Sequence, residues 1–189
     1  MARYHMYWQV YFHPVSRSFE AMLTSLFCRL KQMSRQDHPD LKRLPFLIPF
    51  LSDGPVSVQD HFLMDEPACN YGFNCLRMSE DPIASDLAGR LLDRRLFQDE
   101  ALSEKGQRER LRCLLMEQGW DPEYYLLSDE VRQRPYQPYQ GMENSMAWVL
   151  METGEIRELS QASEIVEALV QGQSRNDQRL YYPRQLQRY

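Results

Sequence analysis

Arg3-Tyr-His-Met-Tyr-Trp-Gln-Val-Tyr-Phe-His-Pro-Val-Ser-Arg17 gathers more aromatic, cationic and polar groups onto one regular element than any later stretch of the chain. Tyr4, Trp8, Tyr11, Val15, Phe19, Met22, Leu26 and Leu30 recur at spacings of three and four. That period predicts one long amphipathic helix from about Ala2 to Ser34, its apolar stripe turned to a core. Pro14 falls inside it, removes a backbone hydrogen bond and crowds the preceding turn, so a kink near Val10 is expected. Arg3, Tyr7 and Tyr11 follow one another by four and drift around a flanking face, offering a cation and two phenols to one pocket. Anions suit such a face.

Outward from this helix, Gln36 to Pro55 carries four prolines and Gly54 and reads as a connector whose Phe46, Leu47, Ile48 and Phe50 tuck against the core. Ser57 to Met64 and Pro67 to Met78 read as helices with Ser57 and Asp65 as N-caps. Pro82 to Leu92 follows acidic Glu80 and Asp81 and carries Ile83, Leu87 and Leu91 at i, i+4, i+8, which predicts another helix. It exits into Asp93-Arg94-Arg95-Leu96-Phe97-Gln98. Glu104 to Gln118 is a further helix ended by Gly119, with Leu111, Leu114 and Leu115 inward.

Beyond residue 118 the texture turns to short β-like runs. Tyr124 to Ser128 and Ala147 to Met151 read as strands, and a turn at Thr153-Gly154 leads into a return strand over Ile156 to Leu159. Ser160 is the expected N-cap of a helix over Gln161 to Val170, and Leu180 to Tyr182 closes a small sheet. The predicted class is therefore α+β, with a mostly helical part over 1–118 and a small α+β part over 119–189.

With 189 residues, 43% of them hydrophobic and 26% charged, the chain can build an ordinary core. The net charge of −5 is uneven. Residues 1–35 hold five Lys or Arg against Glu20 alone, residues 53–130 hold 17 acids against eight bases, and the last 19 residues are basic again. An acidic body with basic ends argues against duplex-DNA binding and fits local phosphate recognition or subunit contacts. No apolar run approaches a membrane span and no signal-peptide core opens the chain, so a cytoplasmic protein without membrane contact is expected. Cys28, Cys69, Cys75 and Cys113 lack metal spacing and read as reduced thiols, mostly buried.

Catalytic motifs are absent: there is no GxSxG, P-loop, GxGxxG after a strand, or HExxH. His5 and His13 stand about 12 Å apart along one helix, too far to share a metal, and no histidine is followed by aspartate. No metal ligands are assigned. Taken singly, Arg3 is an ordinary helix-start arginine, Tyr7 and Tyr11 are ordinary core aromatics, and Arg94 and Arg95 are a solvated pair at a helix end.

Together, however, the opening stretch, the acidic helix Ser79-Glu-Asp-Pro-Ile-Ala-Ser-Asp-Leu87 and Arg94-Arg95-Leu96-Phe97 resemble the HD-superfamily phosphohydrolases that act as deoxynucleoside triphosphate triphosphohydrolases. The resemblance runs along most of the chain and implies the late helices of an HD-type all-α domain followed by a small α+β subdomain. It implies that Arg3 holds the substrate triphosphate, a role suited to a planar, always-charged fork, and that Tyr11 lies near the sugar. Tyr7 matches a position that some relatives fill with a pocket histidine.

Arg94 matches an arginine that contacts a regulatory nucleotide at a subunit interface in a mammalian member. Gln98 stands where that member has a lysine, and His13, Arg94 and Gln98 form the candidate regulatory or interface set. The family's metal-binding His...His-Asp...Asp set, which holds a divalent cation, lies upstream of the matching segment. The chain is thus expected to be a truncated portion, inactive alone, that binds a dNTP and associates with copies of itself or with a complete HD-domain partner. The alternative is a non-catalytic oligomerising scaffold or nucleotide-binding regulator.

Overall fold

The structure is a computed structural model that describes residues 6, 9–10, 13–133, 148–164, 167 and 175–186. Its longest element is α1, Pro14–Arg35. His13 is its N-cap, with extended backbone, and Pro14 is the first helical residue. The continuous helix expected from Ala2, bent near Val10 by Pro14, is thereby corrected: proline's missing N–H costs nothing at a helix start, so Pro14 opens a helix instead of bending one. Val10 lies in a π turn before this break, and its carbonyl accepts from the Ser16 hydroxyl.

The restart also resets the apolar phase. Met22, Leu26, Leu30 and Met33 are buried, whereas Val15 and Phe19, expected on the same stripe, are exposed. A short 3₁₀ helix, Pro39–Arg43, and α2, Ile48–Leu51, follow. Leu41, Leu44, Leu47 and Leu51 bury this connector; Ile48, expected inside, faces solvent. Next come α3 (Val58–Leu63), capped by Ser57, and α4 (Glu66–Arg77), capped by Asp65, both caps as expected. In α5, Pro82–Leu92, Asp81 caps the start and Ala84, Leu87, Ala88 and Leu91 face inward.

A sheet then combines residues far apart in sequence. Strand β1 (Gln98–Ala101) is followed by α6 (Gln107–Glu117), α7 (Pro122–Tyr125) and β2 (Leu127–Gln133). Helix α7 takes Tyr124 and Tyr125 out of the strand expected over Tyr124 to Ser128; Asp121 caps it and Pro122 opens it, so a local helix signal prevails there. A hairpin of β3 (Trp148–Leu150) and β4 (Ile156–Glu158) follows, with Leu150 opposite Ile156. Helix α8, Leu159–Ala162, begins one residue before the expected cap Ser160, and half of the helix expected over Gln161 to Val170 lies outside the described residues.

Strand β5, Arg175–Tyr182, inserts between β1 and β2, antiparallel to both. Gln98 pairs with Tyr182 and Leu127 with Tyr181. Leu180, Tyr181 and Tyr182 are all buried, so β5 is covered on both faces. The molecule is α+β, as expected, and its three-stranded sheet draws a strand from residues 98–101 as well as from beyond 118. The cysteines are free but not buried: Cys28 and Cys113 are exposed, Cys69 and Cys75 half-buried. Among the described residues no helix is long and apolar enough to cross a membrane.

Candidate functional site

Of the residues singled out in sequence, Arg3, Tyr7 and Tyr11 lie outside the described residues. His13, Arg94 and Gln98 are described, and each is fixed by its backbone. The His13 Nδ1 accepts the Val15 amide at 3.3 Å, so one imidazole nitrogen closes the start of α1. Gln98 opens β1 opposite Tyr182.

Arg94 sits just past α5 with φ +53°, in the left-handed region. Its amide donates to Leu91 O, and the Arg95 amide donates back to Arg90 O at 2.9 Å. That pair of bonds closes α5 in a Schellman turn, in which the left-handed residue is usually glycine. An arginine there carries a Cβ penalty of about 1 kcal/mol. The same frame closes α6 with Gly119 and closes α1 with Asp37.

Around this turn lies a small cluster of cations. Arg77 grips Asp93 with two bonds of 3.0 Å, and the Arg95 guanidinium stands 3.4 Å from the same carboxylate. Two guanidinium groups, those of Arg77 and Arg95, thus share the single Asp93 carboxylate, Arg94 is exposed next to them in sequence, and planar guanidinium forks suit phosphate oxygens.

Phe97, between this turn and β1, is buried against α1. Its carbonyl accepts from the buried Ser18 hydroxyl at 3.0 Å, and its amide lies 3.3 Å from the Met22 sulfur. Beneath it Arg90 is buried, with its guanidinium 5.7 Å from the Phe97 ring and 5.3 Å from that of Trp120, and it holds Asp86 at 2.6 Å.

One residue before Ser18, Arg17 is 2% exposed and its Nε donates to the Asp129 carboxylate of β2 at 2.6 Å. The pair floors a groove of about 410 Å³ between α1 and the α7–β2 connection, which Glu20, Ser25, Tyr124 and Ser128 also line. Tyr181 lies behind it. Burial pushes its phenol up to about 12, partly offset by Arg17, and its hydroxyl has no hydrogen-bond partner among the described residues.

The sequence reading passed over Arg17, Ser18, Asp129 and Arg77 as site-building residues. Arg17 ended the opening motif and could have been suspected from it, but its partner lies 112 residues away. Among the described residues no group of three His, Cys, Asp or Glu side chains could hold a metal ion. The divalent cation that the resemblance implies therefore has no donor set in the described part of the molecule. The described residues of the α5 turn present guanidinium groups of the kind that bind anions.

The architecture is that of an α+β protein whose fold is shared with a phosphohydrolase. That enzyme, from Bacteroides thetaiotaomicron, matches with a TM-score of 0.74 at 22% identity, over 97% of this chain and 48% of its own. A hypothetical protein from Aquifex aeolicus matches with a TM-score of 0.57 at 21% identity, over 97% of this chain and 40% of its own. In sequence, the uncharacterized protein YwfO of Bacillus subtilis is 37% identical over 192 residues, 98% of this chain and 44% of that protein. The chain thus spans less than half the length of the relatives it matches. No family model matches it.

Proposed function

We propose that this chain is the C-terminal portion of an HD-family phosphohydrolase that releases triphosphate from deoxynucleoside triphosphates. It contributes substrate-phosphate and assembly surfaces, while the metal site belongs to the remainder of the longer protein. In this reading Arg3 holds the triphosphate, Tyr11 lies near the sugar, and Tyr7 lines the same pocket. Arg94 takes the phosphates of a regulatory nucleotide near His13, with Gln98 weakening that contact by replacing a cation.

The observation that carries the reading is the left-handed arginine. A backbone position where glycine is easiest holds Arg94 instead, between Asp93, which binds Arg77, and Arg95, and a strained arginine at an exposed turn supports a binding role. The likeness of fold to a phosphohydrolase supports the same class.

The test has two arms. The 189-residue chain alone is expected to release no triphosphate from dNTPs with Mg²⁺ or Mn²⁺, whereas the chain extended by its upstream reading frame is expected to do so. Metal-dependent turnover by the short chain, or an inert extended chain, would count against the reading. A second reading, a non-catalytic oligomerising scaffold or nucleotide-binding regulator, is favoured by the exposed arginine turn. It predicts dNTP binding by an extended chain that never hydrolyses.

A further inference from the structure

We infer that Ser18 and Met22 of α1 are positioning residues for the Arg94 turn: by clamping both polar groups of the Phe97 peptide, they hold that turn ready for a polyphosphate anion. This rests on the reading that Arg94 contacts nucleotide phosphate.

Residues 95–97 cross from the end of α5 to β1, and the described ladder begins only at Gln98. Two buried side chains of α1 supply what a ladder would have supplied. The Ser18 hydroxyl donates to the Phe97 carbonyl, and the Met22 thioether lies in reach of the Phe97 amide. Thioether sulfur is a weak acceptor, so the serine bond is the stronger half of the clamp. On the other side, the Arg95 amide is tied to Arg90 O. Arg94 and Arg95 are therefore presented between two fixed points, one on α5 and one on α1.

The left-handed backbone of Arg94 makes this fixing consequential. A bulky residue at φ +53° gains by relaxing to negative φ whenever its surroundings allow, and relaxation would change the direction in which the Arg94 side chain leaves the turn. Affinity for an anion that needs several cations at once depends on their being held in place beforehand.

Helix α1 contains its own control. The Ser25 hydroxyl, also buried, donates at 3.0 Å to a backbone carbonyl, that of Tyr124, and touches nothing at the Arg94 turn. Ser18→Ala and Ser25→Ala should therefore lose similar stability but differ at the turn.

The test uses inorganic triphosphate, titrated calorimetrically onto the intact chain, alongside amide hydrogen exchange at residues 94–98. Ser18→Ala is expected to weaken triphosphate binding roughly fivefold and to speed Phe97 exchange by about tenfold. Ser25→Ala should leave both unchanged, and Ser18→Thr, which keeps the hydroxyl, should restore both. Arg94→Ala should weaken binding further than Ser18→Ala.

If Ser18→Ala binds like the unsubstituted chain while Arg94→Ala does not, the clamp has no role in binding and the inference falls, with the nucleotide reading intact. If Ser25→Ala changes the turn as much as Ser18→Ala, the effect is general destabilisation and the inference falls likewise. If triphosphate ignores Arg94→Ala while Ser18→Ala still frees the Phe97 amide, the nucleotide reading falls and the clamp stands as a fixture of the turn.

Discussion

Two arginine–aspartate pairs, of similar chemistry, sit in different surroundings. Arg17 and Asp129 join α1 to β2 with the guanidinium buried, whereas Arg77 and Asp93 join α4 to the end of α5 with the arginine 46% exposed. Water screens the second pair, so its bidentate geometry adds little stability and its arginine stays available to an incoming anion. The first sits in a poorly screened site, where losing one partner leaves a charge that burial penalises. The contrast separates a buried fastening from an exposed pair at the proposed recognition surface, although both are written as Arg and Asp.

The largest expected effect is at the fastening. Asp129→Ala strips the buried guanidinium of its carboxylate and should cost about 3 kcal/mol in chemical denaturation; a loss under about 1 kcal/mol would put both pairs in one class.

A third pair ranks next. Burial alone would raise the Asp81 carboxyl, but hydrogen bonds from Arg29 and from the Ala84 amide hold it below the ordinary aspartate value. A depressed carboxylate contributes stability that is full above its unfolded value, near pH 4, and is lost as the pH falls through the folded value. Asp81→Asn should therefore be less stable than the parent at pH 7, by about 2 kcal/mol, and the gap should narrow below pH 4. A gap that stays constant down to pH 2 would remove Asp81 from the acid response.

Arg94→Gly should run the other way. Relief of the left-handed strain stabilises the fold by up to about 1 kcal/mol, and triphosphate binding weakens in the same variant. A variant that is no more stable would show that the turn fits arginine without cost. The smallest effect belongs to the exposed pair: Asp93→Ala should change stability by less than about 1 kcal/mol, the loss shrinking further in 1 M salt, while triphosphate binding tightens because a competing anion is gone.

What could be read in sequence was what local chemistry decides. Ser57, Asp65 and Asp81-Pro82 mark helix starts because the cap and the helix it caps lie within one turn. Pro14 was legible as a special position but not as a start, since a proline at the first helical residue and one in mid-helix look alike while apolar spacing continues across both. Strand β1, Gln-Asp-Glu-Ala, has no strand signature; its partner Tyr182 lies 84 residues on and decides its conformation. A still longer separation, 112 residues, hid the Arg17–Asp129 fastening. The candidate regulatory residues Arg94 and Gln98 were legible only through family likeness, and the backbone strain at Arg94 is visible only in three dimensions.

The place of β5 in the sheet bears on synthesis. Among the described residues, strands β1 and β2 do not pair with each other and each pairs with β5, residues 175–182. While the chain is being made, α1 to α5 can pack as soon as they emerge, but the edges of β1 and β2 wait for a strand still inside the ribosome. The three-stranded sheet can close only after Tyr182 has cleared the exit tunnel, and until then Arg17 has its aspartate on a strand that is not yet seated.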